Sequence, residues 1–223
     1  MKVVEYPDAE MMMMDLADTL ASELKNCLLV HEHASFAVPG GTTPGPIFDS
    51  LCAVDLDWSR VHVMLTDERW VPETSERSNT RLLRERLLIE KAAAAVYVPL
   101  YAEAETPEEK LDDLAKSLEP ELPISVMLLG MGADMHTASI FPGADQLDRA
   151  LHGDYHLVAM RAPSAPEPRI TLSAKVLKSA MSRHMVIVGG EKRAALERAR
   201  HLPPEEAPVA AILPGTTVHW AES

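Results

Sequence analysis

The sequence predicts an α/β fold: a Rossmann-like, mostly parallel β-sheet with helices on both faces. Short apolar runs alternate along the chain with stretches of helical periodicity, which is the element order of parallel α/β proteins. The apolar runs are continuous instead of alternating with polar residues, as expected of strands that are buried on both faces. The chain has 223 residues, 47% of them hydrophobic. This length suffices for one core, so we expect a single domain over residues 1–223.

The first predicted element is a helix from about Asp8 to Leu28, with its first residue as the N-cap. Apolar side chains such as Leu16, Leu20 and Leu24 recur at helical spacing within it. The methionine run Met11–Met14 lies in the same helix. We interpret it as core filling, because methionine adapts to irregular apolar gaps.

Strands and helices then alternate to the end of the chain. Strands are predicted at Ser35–Val38, Val61–Leu65, Ile124–Leu129, Tyr155–Met160, His184–Val188 and Val209–Ile212. Helices are predicted at Pro44–Leu51, Asn79–Leu88, Pro107–Leu118, Ser173–Ala180 and Glu191–Ala199. The proline-rich stretch Pro163–Pro168 is predicted to be a loop.

The charge balance excludes two classes of partner. With 21 basic and 34 acidic residues, the formal net charge is −13. Nucleic acids are bound mainly through clustered lysine and arginine, and the sequence has no basic run. The same negative charge opposes contact with anionic lipid surfaces, and no apolar run approaches the ~18 residues of a membrane span. We therefore expect no nucleic-acid and no membrane partner.

Cysteine usage and the first residues favour a cytoplasmic protein. Cys27 and Cys52 form neither a disulfide framework nor a zinc-binding spacing. The segment Met1–Glu5 lacks the basic and apolar regions of a secretory signal. His31 and His33 have no further ligand cluster nearby in the sequence, so we interpret them as part of a surface loop and expect no metal site.

Candidate binding residues follow the first predicted strand. Ligands of open parallel sheets bind beyond the carboxyl ends of the strands. The segment Pro39–Pro44 has this position and contains Gly40, Gly41, Thr42 and Thr43. Its glycines let backbone N–H groups approach a ligand and its threonines add hydroxyl donors, which suits a phosphate. A plain strand-to-helix turn is the alternative, and the spacing alone leaves both open.

A charged triplet follows the next predicted strand. Asp67, Glu68 and Arg69 come shortly after Leu65, and the pair Ser78–Asn79 stands at the start of a predicted helix. Arg69 is a candidate for binding an anion, with an ion pair to either neighbouring carboxylate as the alternative. Asn79 is a candidate for substrate contact, with helix capping alone as the alternative.

The glycine-rich segment Gly130–Gly143 follows the third predicted strand. It places His136 two residues after Asp134 at the ligand-binding edge, where a histidine suits general-base chemistry. Asp134 would orient the imidazole or contact the substrate, and the sequence does not choose between these roles. Ser139 as a nucleophile competes with this interpretation, although the G-x-S-x-G elbow is absent. The glycines also fail the full G-x-G-x-x-G pattern, so no dinucleotide site is expected.

Two further basic residues are candidate anion ligands. Lys192 lies at the start of a predicted helix, where the helix dipole disfavours a cation unless an anion is bound nearby. A solvated lysine is the alternative. Arg169 precedes an apolar stretch and can form forked hydrogen bonds to phosphate or carboxylate oxygens.

Together these motifs resemble the 6-phosphogluconolactonase family, within the glucosamine/galactosamine-6-phosphate isomerase superfamily. The similarity is collinear over nearly the whole chain, through Pro39–Pro44, Asp67–Pro72, Ser78–Asn79, Gly130–Gly143 and Arg169–Leu172. The related glucosamine-6-phosphate deaminases are similar but have Asp-Glu-Tyr at Asp67–Arg69 and Ala-Phe-Asn-Glu-Pro-Gly at Ala138–Gly143. Both positions favour the lactonase.

The resemblance implies hydrolysis of 6-phospho-D-glucono-1,5-lactone to 6-phospho-D-gluconate in the oxidative pentose phosphate pathway, with no metal or organic cofactor. It implies His136 as the general base acting on water and Asp134 as its catalytic partner. The residues expected to bind the phosphate or the rest of the substrate are Gly40, Gly41, Thr42, Thr43, Arg69, Asn79, Arg169 and Lys192. We expect a monomer or a weak homo-oligomer. The alternatives are a deaminase or isomerase reaction, or sugar-phosphate binding without catalysis.

One position departs from the family pattern. The lactonases usually have glycine between the aspartate and the histidine, and this chain has Met135. If the backbone there has a positive φ, methionine costs on the order of 1 kcal/mol or more. Its side chain also has the length to intrude on the pocket beside His136.

Overall fold

The computed structural model describes all residues from 1 to 223. The strands are β1 Lys2–Glu5, β2 Ala34–Val38, β3 Val61–Leu65, β4 Asp67–Arg69, β5 Val96–Val98, β6 Val126–Leu129, β7 Leu157–Ala162, β8 Ala165–Leu172, β9 Ser182–Val188 and β10 Thr217–Ala221. The helices are α1 Ala9–Val30, α2 Gly45–Leu51, α3 Asn79–Arg86, α4 Leu111–Leu118, α5 Leu147–His152, α6 Ala174–Ser179 and α7 Gly190–Ala199. Short 3-10 turns lie at Trp58–Arg60, Glu90–Ala94, Pro107–Glu109, Glu119–Glu121 and Pro208–Ala211.

Seven strands form one sheet in the order β1-β10-β9-β6-β2-β3-β5. Every pairing in this sheet is parallel. Its central strands are buried along their whole length, which explains their continuous apolar sequences. The predicted α/β class with a mostly parallel sheet is confirmed, and the carboxyl ends of β2, β3, β6 and β9 meet at one edge.

Helix α1 follows its amphipathic pattern. The Asp8 carboxylate accepts a hydrogen bond of 2.7 Å from the backbone N–H of Met11 and caps the helix as predicted. Within the methionine run, Met12 and Met13 are buried in the core, whereas Met11 and Met14 are exposed. The run therefore contributes to the core through its inward-facing members.

A second sheet of three antiparallel strands, in the order β4-β8-β7, was not predicted. The predicted strand Tyr155–Met160 corresponds to β7, which belongs to this sheet and not to the parallel one. The prediction of a loop at Pro163–Pro168 is wrong, because β8 begins at Ala165. The three residues of β4 pair only with Arg169–Thr171. Pro166 and Pro168 of β8 have no pairing partner on β4, so their lack of an N–H group costs no hydrogen bond to that strand.

The last predicted strand, Val209–Ile212, is also wrong. This segment forms the 3-10 turn Pro208–Ala211, with proline at its start. The strand near the carboxyl terminus is β10, which pairs with β1 and β9.

The helices of this fold include no segment with both the length and the apolar character of a membrane span.

Candidate active site

The carboxyl ends of the parallel strands surround a cavity of about 280 Å³. Segments after β2, β3, β6 and β9 line it, as expected for ligand binding in an open parallel sheet. Most of the predicted site residues meet here although they are far apart in sequence. They are Gly40, Gly41, Thr42, Thr43, Arg69, Asn79, His136, Arg169 and Lys192.

The loop after β2 packs tightly against the start of α3. A Cβ atom at Gly40 would lie 2.0 Å from the Oδ1 atom of Asn79, so only glycine fits. Asn79 also donates a hydrogen bond of 3.1 Å from Nδ2 to the Asp67 carbonyl. The capping role belongs to Ser78, whose hydroxyl accepts from the N–H of Arg81 at 3.1 Å. Asn79 is therefore held as a wall of the cavity.

Glu68 holds the start of α3, and with it Asn79, in place. Its fully buried carboxylate accepts hydrogen bonds from the backbone N–H groups of Asn79 and Thr80, each at 2.8 Å, and from the hydroxyl of Thr80 at 2.7 Å. Burial raises the pKa of Glu68, although these donors favour the ionised form. Sequence analysis considered Glu68 only as a possible ion-pair partner of Arg69, because a carboxylate beside charged neighbours resembles a solvated surface group.

Arg69 and Arg169 stand opposite each other across the antiparallel pair of β4 and β8. Arg69 donates from Nη1 to the carbonyl of Arg77 at 2.7 Å. It forms no ion pair with Asp67 or Glu68, which was the alternative role for this residue. The Nε atoms of both arginines are buried without hydrogen-bond partners. Both residues line the cavity, so their guanidinium groups are candidates for binding an anionic ligand.

Two polar groups lie within contact distance of the buried guanidinium of Arg169. Its Nη2 atom lies 3.2 Å from Glu167 and its Nη1 atom 3.5 Å from the Ser139 hydroxyl. Burial nevertheless lowers the pKa of Arg169, and the nearby charge of Arg69 acts in the same direction. A bound anion would stabilise the charged forms of both Arg69 and Arg169.

Ser139 is a supporting residue of this arrangement. Its side chain is fully buried, and its hydroxyl donates a hydrogen bond of 2.6 Å to Asp67. Its backbone N–H donates to the hydroxyl of Thr171 at 3.2 Å. Because Ser139 does not line the cavity, the structure gives no support to a serine nucleophile.

His136 and Asp134 form a hydrogen-bonded pair at the cavity wall. The Nδ1 atom of His136 lies 2.5 Å from Oδ1 of Asp134, which also accepts from the His136 backbone N–H at 3.1 Å. Burial would raise the pKa of Asp134, but the hydrogen bond and charge of His136 lower it below its ordinary value. An ionised Asp134 holds the proton of a neutral imidazole on Nδ1 and leaves the lone pair on Nε2. Asp134 itself does not line the cavity.

The backbone around this pair is closely constrained. A Cβ atom at Gly132 would lie 2.2 Å from Nδ1 of His136 and 2.6 Å from Oδ1 of Asp134, so the pair requires a glycine beneath it. Phe141 packs against the His136 ring with a centroid separation of 4.4 Å. Together these contacts fix the position of the imidazole.

Met135 adopts the left-handed conformation that the family glycine suggests, with a φ of 68°. Its side chain does not enter the cavity and instead packs, partly buried, against the hydrophobic core. Its carbonyl accepts a hydrogen bond of 3.0 Å from the N–H of Val209, which holds the loop in place. The methionine therefore leaves the site around His136 open.

Fold and site together define an α/β protein with an arginine-lined cavity beside a histidine–carboxylate pair. A family model described as glucosamine-6-phosphate isomerases/6-phosphogluconolactonase matches residues 7–220. The 6-phosphogluconolactonase of Pseudomonas aeruginosa is 40% identical over 92% of this chain and 88% of its own length. That of Rhizobium meliloti is 39% identical over 99% of this chain and 98% of its own.

The solved structures agree with the sequence relatives. The crystal structure of a 6-phosphogluconolactonase from Shewanella baltica superimposes with a TM-score of 0.96, at 33% identity over 99% of this chain and 97% of that one. The chain belongs to the 6-phosphogluconolactonase family. The family predicted from the sequence motifs is thereby confirmed.

Proposed function

We propose that this protein hydrolyses 6-phospho-D-glucono-1,5-lactone to 6-phospho-D-gluconate, the lactonase step of the oxidative pentose phosphate pathway, with His136 as the general base. The family supports the reaction, since relatives at 39–40% identity over most of the chain carry the lactonase name. One observation carries the assignment of the base. His136 lines the cavity while its Nδ1 atom is bound to Asp134, so Nε2 is the basic nitrogen available to water.

The substrate phosphate requires cations in an acidic chain. We assign its binding to Gly40, Gly41, Thr42 and Thr43 together with Arg69, Arg169 and Lys192. Backbone N–H groups and hydroxyls of the loop supply hydrogen bonds, and the guanidinium groups supply forked donors. The presence of all three cationic residues in the cavity lining supports this assignment. Asn79 would contact a sugar hydroxyl from the opposite wall.

The reaction then needs two proton transfers, one from water to His136 and one from His136 to the ring oxygen of the lactone. A water molecule attacks the C1 carbonyl carbon of the lactone while Nε2 of His136 accepts its proton, and the carbonyl π electrons move to oxygen. When this tetrahedral intermediate collapses, the bond between C1 and the ring oxygen breaks and the imidazolium returns the proton to that oxygen. The product is the free acid, and Asp134 stabilises the transient imidazolium by its charge. A positioned base makes a covalent intermediate unnecessary.

The decisive experiment follows acid release from freshly prepared 6-phosphogluconolactone against a blank without enzyme, because this lactone also opens unaided. We expect clear acceleration by the wild-type protein. The Arg169→Ala variant should raise KM for the phosphorylated lactone and have little effect with unphosphorylated gluconolactone. Equal effects on both substrates would contradict a phosphate-binding role.

Two other outcomes would replace the proposal. Binding of 6-phosphogluconate without hydrolysis above the blank would identify a sugar-phosphate binding protein without catalysis. Ammonia release from glucosamine 6-phosphate would identify the deaminase reaction instead.

A cytoplasmic location and a monomeric or weakly oligomeric state are also part of this proposal. The acidic composition and the free cysteines support the first. Light scattering on the purified protein tests the second.

A further inference from the structure

Three potential metal ligands meet at the edge of the parallel sheet opposite the active site. His33 directly precedes β2, His62 is the second residue of β3, and Glu121 ends the 3-10 turn that leads towards β6. The five residues of β2 separate His33 from the cavity loop that follows this strand, a distance of about 17 Å at 3.3 Å per residue. The cluster is therefore independent of the lactone chemistry and of the function proposed above.

The ligand atoms are compactly arranged. Glu121 Oε1 lies 2.8 Å from Nδ1 of His62, and Oε2 lies 3.2 Å from Nε2 of His33. All three groups offer a ligand atom within 4.8 Å of one another. Ligands bound tetrahedrally at about 2.0–2.2 Å from zinc stand about 3.3–3.6 Å apart, so the 3.2 Å between Glu121 Oε2 and His33 Nε2 already approaches this geometry.

The buried carboxylate lacks a partner for one oxygen. Glu121 is only 7% exposed, and Oε2 forms no hydrogen bond despite its nearness to His33. The His33 and His62 rings are stacked beside it, with centroids 4.2 Å apart and planes at 17°. A buried carboxylate oxygen without a donor is costly, and a cation between Glu121 and His33 would satisfy it. His33 is half-exposed, which lets its ring tilt towards such an ion.

Neighbouring hydrogen bonds hold the ligand-bearing segments in place. Arg60 donates to the carbonyls of His31 at 2.6 Å and Glu32 at 2.7 Å, which fixes the segment before His33. The hydroxyl of Ser35 donates to the Glu121 carbonyl at 2.9 Å. A cavity of about 330 Å³, lined by His33 and Glu121, connects the cluster with solvent and leaves room for water.

We propose that His33, His62 and Glu121 bind a divalent transition-metal ion, zinc in particular. Two imidazole nitrogens and one carboxylate are a donor set suited to zinc, with water as the fourth ligand. The ion would join the beginnings of β2 and β3 to the segment before β6 and so stabilise the fold. Sequence spacing favoured a surface loop at His31 and His33, because the other two ligands lie far away in the chain.

Zinc titration of chelator-treated protein by calorimetry tests the site, with thermal unfolding as a second readout. We expect one zinc ion per chain and a melting temperature that rises with zinc concentration. Glu121→Gln and His33→Gln should each weaken binding at least about 10-fold, since even outer-shell partners contribute that much. Both variants should also lose the zinc-dependent rise in melting temperature.

Two control variants distinguish this cluster from other histidines. His201→Ala removes an exposed histidine elsewhere on the surface, and His136→Ala removes the histidine of the active site. Both should bind zinc as the wild type does. Zinc binding that is lost in His136→Ala, or retained in Glu121→Gln and His33→Gln, would overturn the proposal, as would a wild-type protein that binds no zinc. Circular dichroism establishes that each variant is folded, and His33→Gln carries the test if the change at buried Glu121 prevents folding.

Discussion

Substitution of Asp134 by asparagine tests how His136, the proposed general base, is held. The change preserves shape but removes the charge that faces His136 Nδ1 at 2.5 Å. A hydrogen bond to a charged group contributes about 1.5–3 kcal/mol, and the 43% exposure of the Asp134 side chain favours the lower half of that range because solvent screens the charge. At about 1.4 kcal/mol per factor of ten, the expected loss is about 10-fold to 30-fold in kcat.

The assay is blank-corrected hydrolysis of 6-phosphogluconolactone over a range of substrate concentrations. KM should stay close to its wild-type value, because Asp134 does not line the cavity. Asp154→Asn is a matched control, since Asp154 is an exposed carboxylate paired with Lys175 on the surface. A kcat for Asp134→Asn within about twofold of the control, or a loss confined to KM, would refute the idea that Asp134 orients the base.

Three further predictions concern the site loop and stability. Gly132→Ala should lower kcat about 100-fold, because the new Cβ displaces His136 and a shift of 1 Å can cost that much; unchanged kinetics would contradict the contact. Met135→Gly should change kcat less than about twofold, because the side chain packs away from the cavity; a large change in kcat would show that Met135 affects the site. Burial and the charge of His184 lower the pKa of His219 from 6.5 to about 4. The unfolded chain then binds the extra proton between these values, so urea unfolding should show about 3 kcal/mol of stability lost as pH falls from 6.5 to 4. His219→Gln should show a smaller loss, and an equal loss would count against this assignment.

The parallel part of the fold was predictable because its strands have a strong signal. In segments such as Val61–Leu65 nearly every side chain is buried, so their residues form continuous apolar runs between helices. Two strands of the antiparallel sheet, β4 and β8, lack that signal. β4 consists of Asp67, Glu68 and Arg69, which look like a charged loop, and β8 carries two prolines. Only the antiparallel pairing reveals them as strands.

The candidate site was predictable where a residue type points to chemistry, and less so where burial decides the role. His136 and Arg69 follow predicted strands and Arg169 precedes an apolar stretch, and these positions suggested function. In the sequence Glu68 looks like part of a charged surface triplet and Ser139 like a competing nucleophile, yet both are fully buried and support the cavity wall. Their roles depend on partners that the fold brings together.

The net charge of −13 also has a more specific meaning beside this cavity. The proposed substrate is an anion, and hydrolysis adds a further negative charge to the product. The overall field therefore opposes capture and favours release. Substrate binding must rely on the local cations Arg69, Arg169 and Lys192, all of which line the cavity.

The most direct test of the central claim is the kcat of His136→Ala for 6-phosphogluconolactone, corrected for spontaneous opening, together with the binding of 6-phosphogluconate by calorimetry. General-base catalysis contributes about 100-fold to 10,000-fold, so kcat should fall within that range while product affinity stays close to that of the wild type. A variant with wild-type turnover, or one that loses product binding and activity together, would contradict the role of His136 as the base.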